Sequence, residues 1–155
     1  MRRLSLLVLL AAAGLGGCAY LSGSRDVGSS DVEKAASADD ALVREDRART
    51  DLGHIENALA EYVKAEKRIP AKVEDLVPKY LAEIPSLDLP ECGRESNRVQ
   101  YYPADVLRDG RVDGTRLYGT GRWGYVHNSH RVVIFVDCLK NSSNGTPWYR
   151  VRGIY

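Results

Sequence analysis

Apolar side chains recur at helical spacing through the segment from Asp51 to Pro90, and this pattern organises the predicted fold. The first run is typical of one buried helix face and contains Leu52, Ile55, Leu59, Tyr62 and Val63. The Ile69-Pro70 pair ends that helix, because the residue before a proline is disfavoured in the helical region. A second run, Val73, Leu76, Val77, Tyr80 and Leu81, predicts a shorter helix that closes at Ile84-Pro85.

The first helix is expected to begin well before this apolar face. Ser37, with Asp40 three residues later, is a fair helix start, and the chain is predicted helical from about there to Lys67. The part from Ala41 to Asp51 is highly charged, so we expect it at the edge of the core or beyond it. Gly53 lowers helix stability by about 1 kcal/mol relative to alanine, which favours bending or close packing at that position.

The second half of the chain reads as strands separated by turns. Two Asp-Gly pairs, at 109–110 and 113–114, favour tight turns. Strands are predicted at 98–102, 121–127, 131–138 and 148–155, and the nearly continuous apolar run of 131–138 predicts a central strand. In the second of these strands Trp123 and Tyr125 share one face. The predicted fold is α+β, with a long amino-terminal helix and a short helix packed on a three- to four-stranded antiparallel sheet.

The amino terminus has the pattern of an exported lipoprotein. Arg2 and Arg3 precede an apolar run that is too short to cross a bilayer, which is typical of a signal peptide over residues 1–17. The sequence Leu15-Gly16-Gly17-Cys18 resembles the bacterial lipobox, which implies cleavage before Cys18 and an anchor of palmitate-type acyl chains on that residue. The alternative is an ordinary signal peptide with an incidental cysteine.

These features predict where the protein lies. Residues 18–38 are rich in serine, glycine and other small residues, so we expect a lipidated flexible tether before a domain over 39–155. The lipobox implies a protein that is held at a membrane of the bacterial envelope and faces the periplasm. By the rule known from enteric lipoproteins, Ala19 after the cysteine favours the outer membrane.

The sequence NALAEYVKAEKRIP followed by VEDLVPKYLAEIP resembles the globular part of type IV pilin-like proteins, above all the pseudopilins of type II secretion systems. The matching positions are Ala58, Leu59, Tyr62, Pro70, Leu76, Val77, Pro78, Tyr80, Leu81, Ile84 and Pro85. Ile69 stands where the family usually has tyrosine. The apolar amino-terminal helix that anchors such proteins and builds their filaments is missing, since a lipobox and charged residues occupy its place.

This resemblance implies a non-enzymatic structural or interaction component, with secretion or pilus proteins as partners. The alternative is an envelope lipoprotein that uses a pilin-like domain to bind envelope components or a small ligand. No glycine-rich phosphate loop, nucleophile elbow or zinc-protease helix motif occurs in the sequence, so we expect neither an enzyme nor a cofactor. The formal net charge of +1 gives no reason to expect nucleic acid.

Two cysteines remain besides Cys18, and an even pair in an exported protein predicts a disulfide between Cys92 and Cys138. Two buried free thiols or a redox pair are the alternatives.

Two other sets of residues are candidates for a metal site. His127 and His130 lie in a predicted turn, and neither His54 nor another residue supplies a third ligand at useful spacing. We therefore expect exposed loop histidines and not a metal site. The turn residues Asp105, Asp109 and Asp113 are weak calcium candidates, because their spacing does not match a known calcium loop.

Overall fold

The computed structural model describes the backbone of residues 29–153 and the side chains of residues 37–153. The predicted signal peptide, the lipidation site Cys18 and the first part of the predicted tether lie outside the described residues. Helix α1 covers Ser29–Glu66, so residues 29–38 of the range assigned to the tether fall within a helix. None of the helical segments in the described range has the length and apolar character that a membrane-spanning helix needs.

Helix α1 ends where the sequence predicts. Lys67 has a φ of 54°, the left-handed conformation that commonly follows the last helical turn, and its backbone N–H donates to the carbonyl of Val63 at 3.1 Å. Ile69-Pro70 then leads the chain away from the helix axis. Of the apolar face read from the sequence, Leu52, Ile55, Leu59 and Tyr62 are buried and Val63 is half-buried. Ala48, which was not part of that prediction, is also buried.

The predicted second helix is wrong in type and length. Only one 3₁₀ turn forms, at Val73–Leu76, and its apolar residues Val73 and Leu76 are buried. Val77 is extended, with φ −88° and ψ 138°, because the following Pro78 disfavours the helical conformation for the residue before it. The chain continues as a turn in which the carbonyl of Leu76 accepts hydrogen bonds from the N–H groups of Tyr80 and Leu81.

The described residues form a small mixed sheet and a separate hairpin. The strands are β1 (Val99–Tyr102), β2 (Leu107–Arg108), β3 (Arg111–Val112), β4 (Arg122–His127) and β5 (Val132–Asp137). The sheet has the order β1-β4-β5, with β1 parallel to β4 and β4 antiparallel to β5. Strands β2 and β3 pair through the turn at Asp109-Gly110, where both residues have positive φ.

Three expectations about the strands are therefore corrected. The sheet is mixed and not antiparallel, because the chain between β1 and β4 crosses over and returns in the same direction. The apolar strand β5 is an edge strand, and β4 is central. The side chains of β5 are apolar because both of its faces are buried, one in the core beneath α1 and the other in the core beneath the β2–β3 hairpin and the adjoining loops. The predicted terminal strand at 148–155 is absent from its described part, residues 148–153.

The carboxyl-terminal part forms a 3₁₀ turn at Trp148–Arg150 instead of a strand. Trp148 and Val151 both insert into the core between the sheet and α1. Residues three apart lie on the same side of a 3₁₀ turn, whereas in a strand they would point to opposite faces. Gly153 then meets Gly53 of α1, and a Cβ on Gly153 would lie 2.2 Å from the backbone nitrogen of Gly53. This contact bears out the close packing predicted at Gly53.

Two cores lie on opposite faces of the sheet. Trp123, Tyr125, Ile134 and Val136 face α1, whereas Val126, Val133 and Phe135 face a layer built from the β2–β3 hairpin and the adjoining loops. The fold is thus α+β, with one helix packed on a small mixed sheet. Trp123 and Tyr125 share a face as predicted.

Candidate interaction site

An open groove of about 480 Å³ runs between the second half of α1 and the start of β5. Its lining residues are Glu56, Leu59, Ala60, Val63 and Lys64 from α1, Val132, Val133 and Ile134 from β5, and Arg152. The floor is apolar. Val63 and Val132 are half-buried and Ala60 is exposed, so apolar surface on both elements still reaches solvent.

The groove reaches the edge of β5 and not merely one of its faces. Side chains of neighbouring strand residues point to opposite faces, yet Val132, Val133 and Ile134 line the groove one after another. In the described part of the chain, β4 is the strand that pairs with β5, on its other side. The segment from Trp148 packs along the side of β5 opposite β4, because Trp148 lies in the core on the α1 face and Tyr149 packs against the core on the opposite face.

Basic side chains dominate the surroundings of this groove. Lys64 and Arg152 stand on its rim, where an Arg152 guanidinium nitrogen lies 3.8 Å from a carboxylate oxygen of Glu56. Lys67, Arg68 and His127 line the next cleft along, and Arg111 and Arg150 line a third cavity that also includes Arg152. On this stretch of α1 the basic residues alternate with Glu56, Glu61 and Glu66.

The charged part of α1 before Leu52 has a different surface. Glu45 accepts hydrogen bonds from the backbone N–H and the hydroxyl of Ser143, at 2.8 and 2.7 Å. The Arg49 guanidinium lies over the Trp148 ring, 5.8 Å from its centroid, and Arg44 pairs with Asp88 at 3.6 Å. These charges join the helix to the rest of the domain, and this part of α1 lies at the edge of the core.

No protein-family model, curated protein or solved structure matches the chain. Function is therefore inferred from the sequence motifs and from the chemistry of the surface.

The structure does not gather the three calcium candidates into one site. Asp105 pairs with Arg116 at 2.8 Å, and Asp113 pairs with Arg108 at 3.5 Å and accepts hydrogen bonds from Thr115. The Thr115 hydroxyl and backbone N–H hold the pKa of Asp113 below its usual range. Asp109 occupies the hairpin turn. Within the described residues, no three histidine, cysteine, aspartate or glutamate side chains lie close enough to share an ion.

The histidines are exposed, as the sequence predicts. His127 ends β4 and lines the cleft beside Lys67 and Arg68. His130 lies in the following turn, where its backbone N–H donates to the side-chain oxygen of Asn128 at 2.9 Å. His54 is an exposed residue of α1.

Cys92 and Cys138 form the predicted disulfide, with an S–S distance of 2.06 Å and Cα atoms 5.4 Å apart. The bond joins the segment after α1 to the end of β5. A shallow cavity of about 310 Å³ lies beside it, lined in part by the exposed side chains of Tyr118 and Leu139.

Sequence reasoning missed two features of the structure. The groove depends on Ala60, a small residue whose short side chain leaves space between α1 and β5, and helical periodicity does not reveal such space. Asp137, fully buried at the end of β5, accepts hydrogen bonds from the N–H groups of Gly119 and Thr120 at 3.1 and 3.0 Å. The sequence did offer a signal for Asp137, because an acidic residue is unusual at the end of a strongly apolar strand.

Proposed function

We propose that this chain is an exported lipoprotein whose folded head is a non-enzymatic interaction component of a type II secretion or pilus-related assembly. The lipobox at Leu15-Gly16-Gly17-Cys18 supports the membrane anchor. The resemblance of residues 51–90 to pseudopilins supports the kind of assembly. Both rest on sequence motifs.

The observation that carries the proposal is the extent of α1 beyond the core. Residues 37–43 are all exposed, and Ala48 is the first buried apolar residue of the helix in the described range. The part from Ser29 to Val43 would extend about 22 Å at 1.5 Å per residue. Such a helix, placed between the proposed anchor and the head, would hold the head away from a membrane surface.

The apolar face of α1 supports an interaction role at the head and not filament formation through the helix. From Ala48 to Tyr62 this face is buried against the chain's own sheet. A packed helical spine, as pilin-like filaments use, would need a separate apolar surface on the amino-terminal part. In this chain that part carries charged residues such as Arg44, Asp46 and Arg47.

Labelling cells with an alkyne analogue of palmitate tests the anchor. The wild-type chain should carry the label and sediment with membranes, and Cys18→Ser should lose both properties. The matched control replaces both other cysteines, Cys92 and Cys138, with serine and should keep the label. Labelling of the Cys18→Ser chain would contradict the lipoprotein proposal.

Co-purification from detergent-solubilised membranes of the native host tests the assembly. Recovery of secretion or pilus subunits with the wild-type chain, at native expression level, is the expected result. Their absence would contradict an assembly role and favour the second candidate, an envelope lipoprotein that binds an envelope component or small ligand. If assembly subunits are not recovered, the groove between α1 and β5 supports the second candidate, because it offers an apolar cavity for a ligand.

A further inference from the structure

We propose that the cavity between the β2–β3 hairpin, β5 and the carboxyl-terminal 3₁₀ turn binds the phosphate group of a small ligand. This inference goes beyond the proposed interaction function, because it names a binding site and the chemistry of its ligand.

Three arginines from separate positions in the fold line this cavity, which has a volume of about 180 Å³. Arg111 belongs to β3, Arg150 ends the 3₁₀ turn, and Arg152 follows that turn. The other lining residues are Gly110, Val112, Val133 and Tyr149. The two valines are buried and the three arginines are exposed, so the cavity has an apolar floor and a cationic rim. None of the described residues that line it is acidic.

Two of these arginines have no carboxylate partner. Arg152 lies 3.8 Å from a carboxylate oxygen of Glu56, whereas neither Arg111 nor Arg150 forms an ion pair within the described part of the chain. Arg131 adds positive charge beside the cavity, since its guanidinium donates to the carbonyl of Gly110 at 2.8 Å. Because like charges repel, gathering these groups costs free energy that a bound anion would offset.

The packing of Tyr149 holds one wall of the cavity in position. Its ring packs against the core beneath the β2–β3 hairpin and lies so close to Gly114 that a Cβ there would be 2.3 Å from the ring carbon Cζ. The Arg150 guanidinium lies over the same ring, 5.3 Å from its centroid. Stacking on an aromatic face orients a guanidinium and leaves the N–H donors at its edge available for an oxyanion.

The number of cations favours phosphate over a carboxylate. A guanidinium presents its N–H donors in a planar fork that matches two oxygens of either group. A phosphate monoester carries a charge of about −1.5 to −2 at pH 7 and has three acceptor oxygens, whereas a carboxylate carries a single charge and has two oxygens. A phosphate monoester can therefore neutralise Arg111 and Arg150 together. The organic part of the ligand would then contact Val112 and Val133.

Isothermal titration calorimetry with phenyl phosphate tests the site on the purified full chain in non-ionic detergent. Phenol and benzoate are the matched ligands, because phenol lacks the charge and benzoate has a carboxylate in place of the phosphate. Phenyl phosphate should bind with a dissociation constant below about 1 mM and about tenfold more tightly than benzoate, and phenol should not bind. Added salt should weaken the binding, because the arginines are exposed.

Exposed arginines supply matched variants. Arg111→Gln and Arg150→Gln should each weaken binding of phenyl phosphate by about tenfold or more. Arg94→Gln removes the same charge from an exposed arginine outside the lining and should leave binding unchanged. Arg150→Lys keeps the charge and loses the planar fork, so it should retain only part of the affinity. Because all the replaced side chains are exposed, thermal unfolding without ligand should be the same in every variant and checks that the head still folds.

Competition measurements distinguish two sources of the phosphate group. Glycerol 3-phosphate presents it in solution, and phosphatidic acid in mixed detergent micelles presents it as a lipid head group. Displacement of phenyl phosphate by glycerol 3-phosphate alone would assign the cavity to a soluble ligand. Displacement by both would show that a lipid head group also enters the cavity.

Three results would overturn the inference. These are no binding of phenyl phosphate, equal binding of phenyl phosphate and benzoate, or equal effects of Arg111→Gln and Arg94→Gln. The titration needs neither Cys18 nor an assembly, so its failure is distinct from failure of the proposed function.

Discussion

Asp137 shows at the residue scale how a buried charge can be held by a loop. Its carboxylate accepts hydrogen bonds from Gly119 and Thr120, and the backbone N–H of Gly121 donates to its carbonyl oxygen at 2.8 Å. Burial, with the hydrogen bond to the Asp137 carboxylate, raises the pKa of Tyr102 above its ordinary range. The Tyr102 hydroxyl also accepts a hydrogen bond from the backbone N–H of Tyr118 at 2.9 Å. The loop 117–121 is fixed to the end of β5 by these contacts.

Replacing Asp137 with alanine should lower the free energy of unfolding by about 2–4 kcal/mol. The variant leaves the N–H groups of Gly119 and Thr120 without their acceptor in a buried region, which is among the costly changes in proteins. Urea unfolding followed by tryptophan fluorescence measures the change. Asp105→Ala, which removes an exposed ion pair with Arg116, is the control and should cost less than about 1 kcal/mol. Equal losses in the two variants would contradict this account.

At the scale of elements, side chains with polar ends fix the proline-rich segment after α1. The Tyr125 hydroxyl donates to the carbonyl of Pro70, and the Trp123 indole N–H donates to the carbonyl of Pro85 at 2.7 Å. Glu66, at the end of α1, accepts hydrogen bonds from Lys79 at 2.9 Å and from the Tyr80 hydroxyl at 2.8 Å. The segment without a second α-helix is held in place by contacts to α1 and to the sheet.

The contact at Glu66 predicts a pH dependence. Hydrogen bonds from Lys79 first, and then from Tyr80, lower the pKa of Glu66 below its ordinary value of 4.5. A carboxyl group with a lowered folded-state pKa contributes stability above its unfolded pKa and loses it as pH falls through the folded pKa. Glu66→Gln should therefore reduce the melting temperature at pH 7, and the difference from wild type should shrink below pH 4.5.

Thermal unfolding at pH 7 and at pH 3 measures this effect. Glu61→Gln changes an exposed glutamate of the same helix and is the matched control, with little change at either pH. A difference between Glu66→Gln and wild type that stays the same at pH 3 would show that the charge of Glu66 is not responsible.

The parts of the fold that the sequence predicts correctly are those with local causes. The apolar face from Leu52 to Tyr62 and the end of α1 before Pro70 follow from periodicity and from proline chemistry. The parallel pairing of β1 with β4 depends on the path that residues 103–121 take between the two strands, and no local pattern encodes that path. Strand β5 reads as central because its two faces are covered, which gives the same apolar run as a central position.

The candidate site likewise contains one feature with a local cause in the sequence and one that depends on the packed fold. The bond between Cys92 and Cys138 was predictable because an even pair of cysteines, in a chain whose sequence predicts export, favours a disulfide. The groove was not, because Ala60 and Val132 are far apart in sequence and each is unremarkable alone. A groove of this kind exists only once α1 and β5 are packed beside each other.

At the scale of the whole molecule, the disulfide joins the two halves of the domain. Cys92 follows the segment that α1 and the sheet hold in place, and Cys138 directly follows the buried Asp137 at the end of β5. The two cysteines are 46 residues apart in sequence, and all five strands, β1 to β5, lie between them. Closing this loop restricts the unfolded chain far more than the folded one.

On the chain-entropy account, a loop of 46 residues corresponds to about 4 kcal/mol, and measured values are usually smaller. The free energy of unfolding of the double variant with Cys92→Ser and Cys138→Ser should therefore be about 2–4 kcal/mol lower than that of the oxidised wild-type chain. Dithiothreitol should lower wild-type stability toward that of the double variant and leave the double variant unchanged. Urea unfolding with and without the reductant gives all four values. Equal free energies of unfolding for the oxidised wild-type chain and the double variant would contradict this account of the bond.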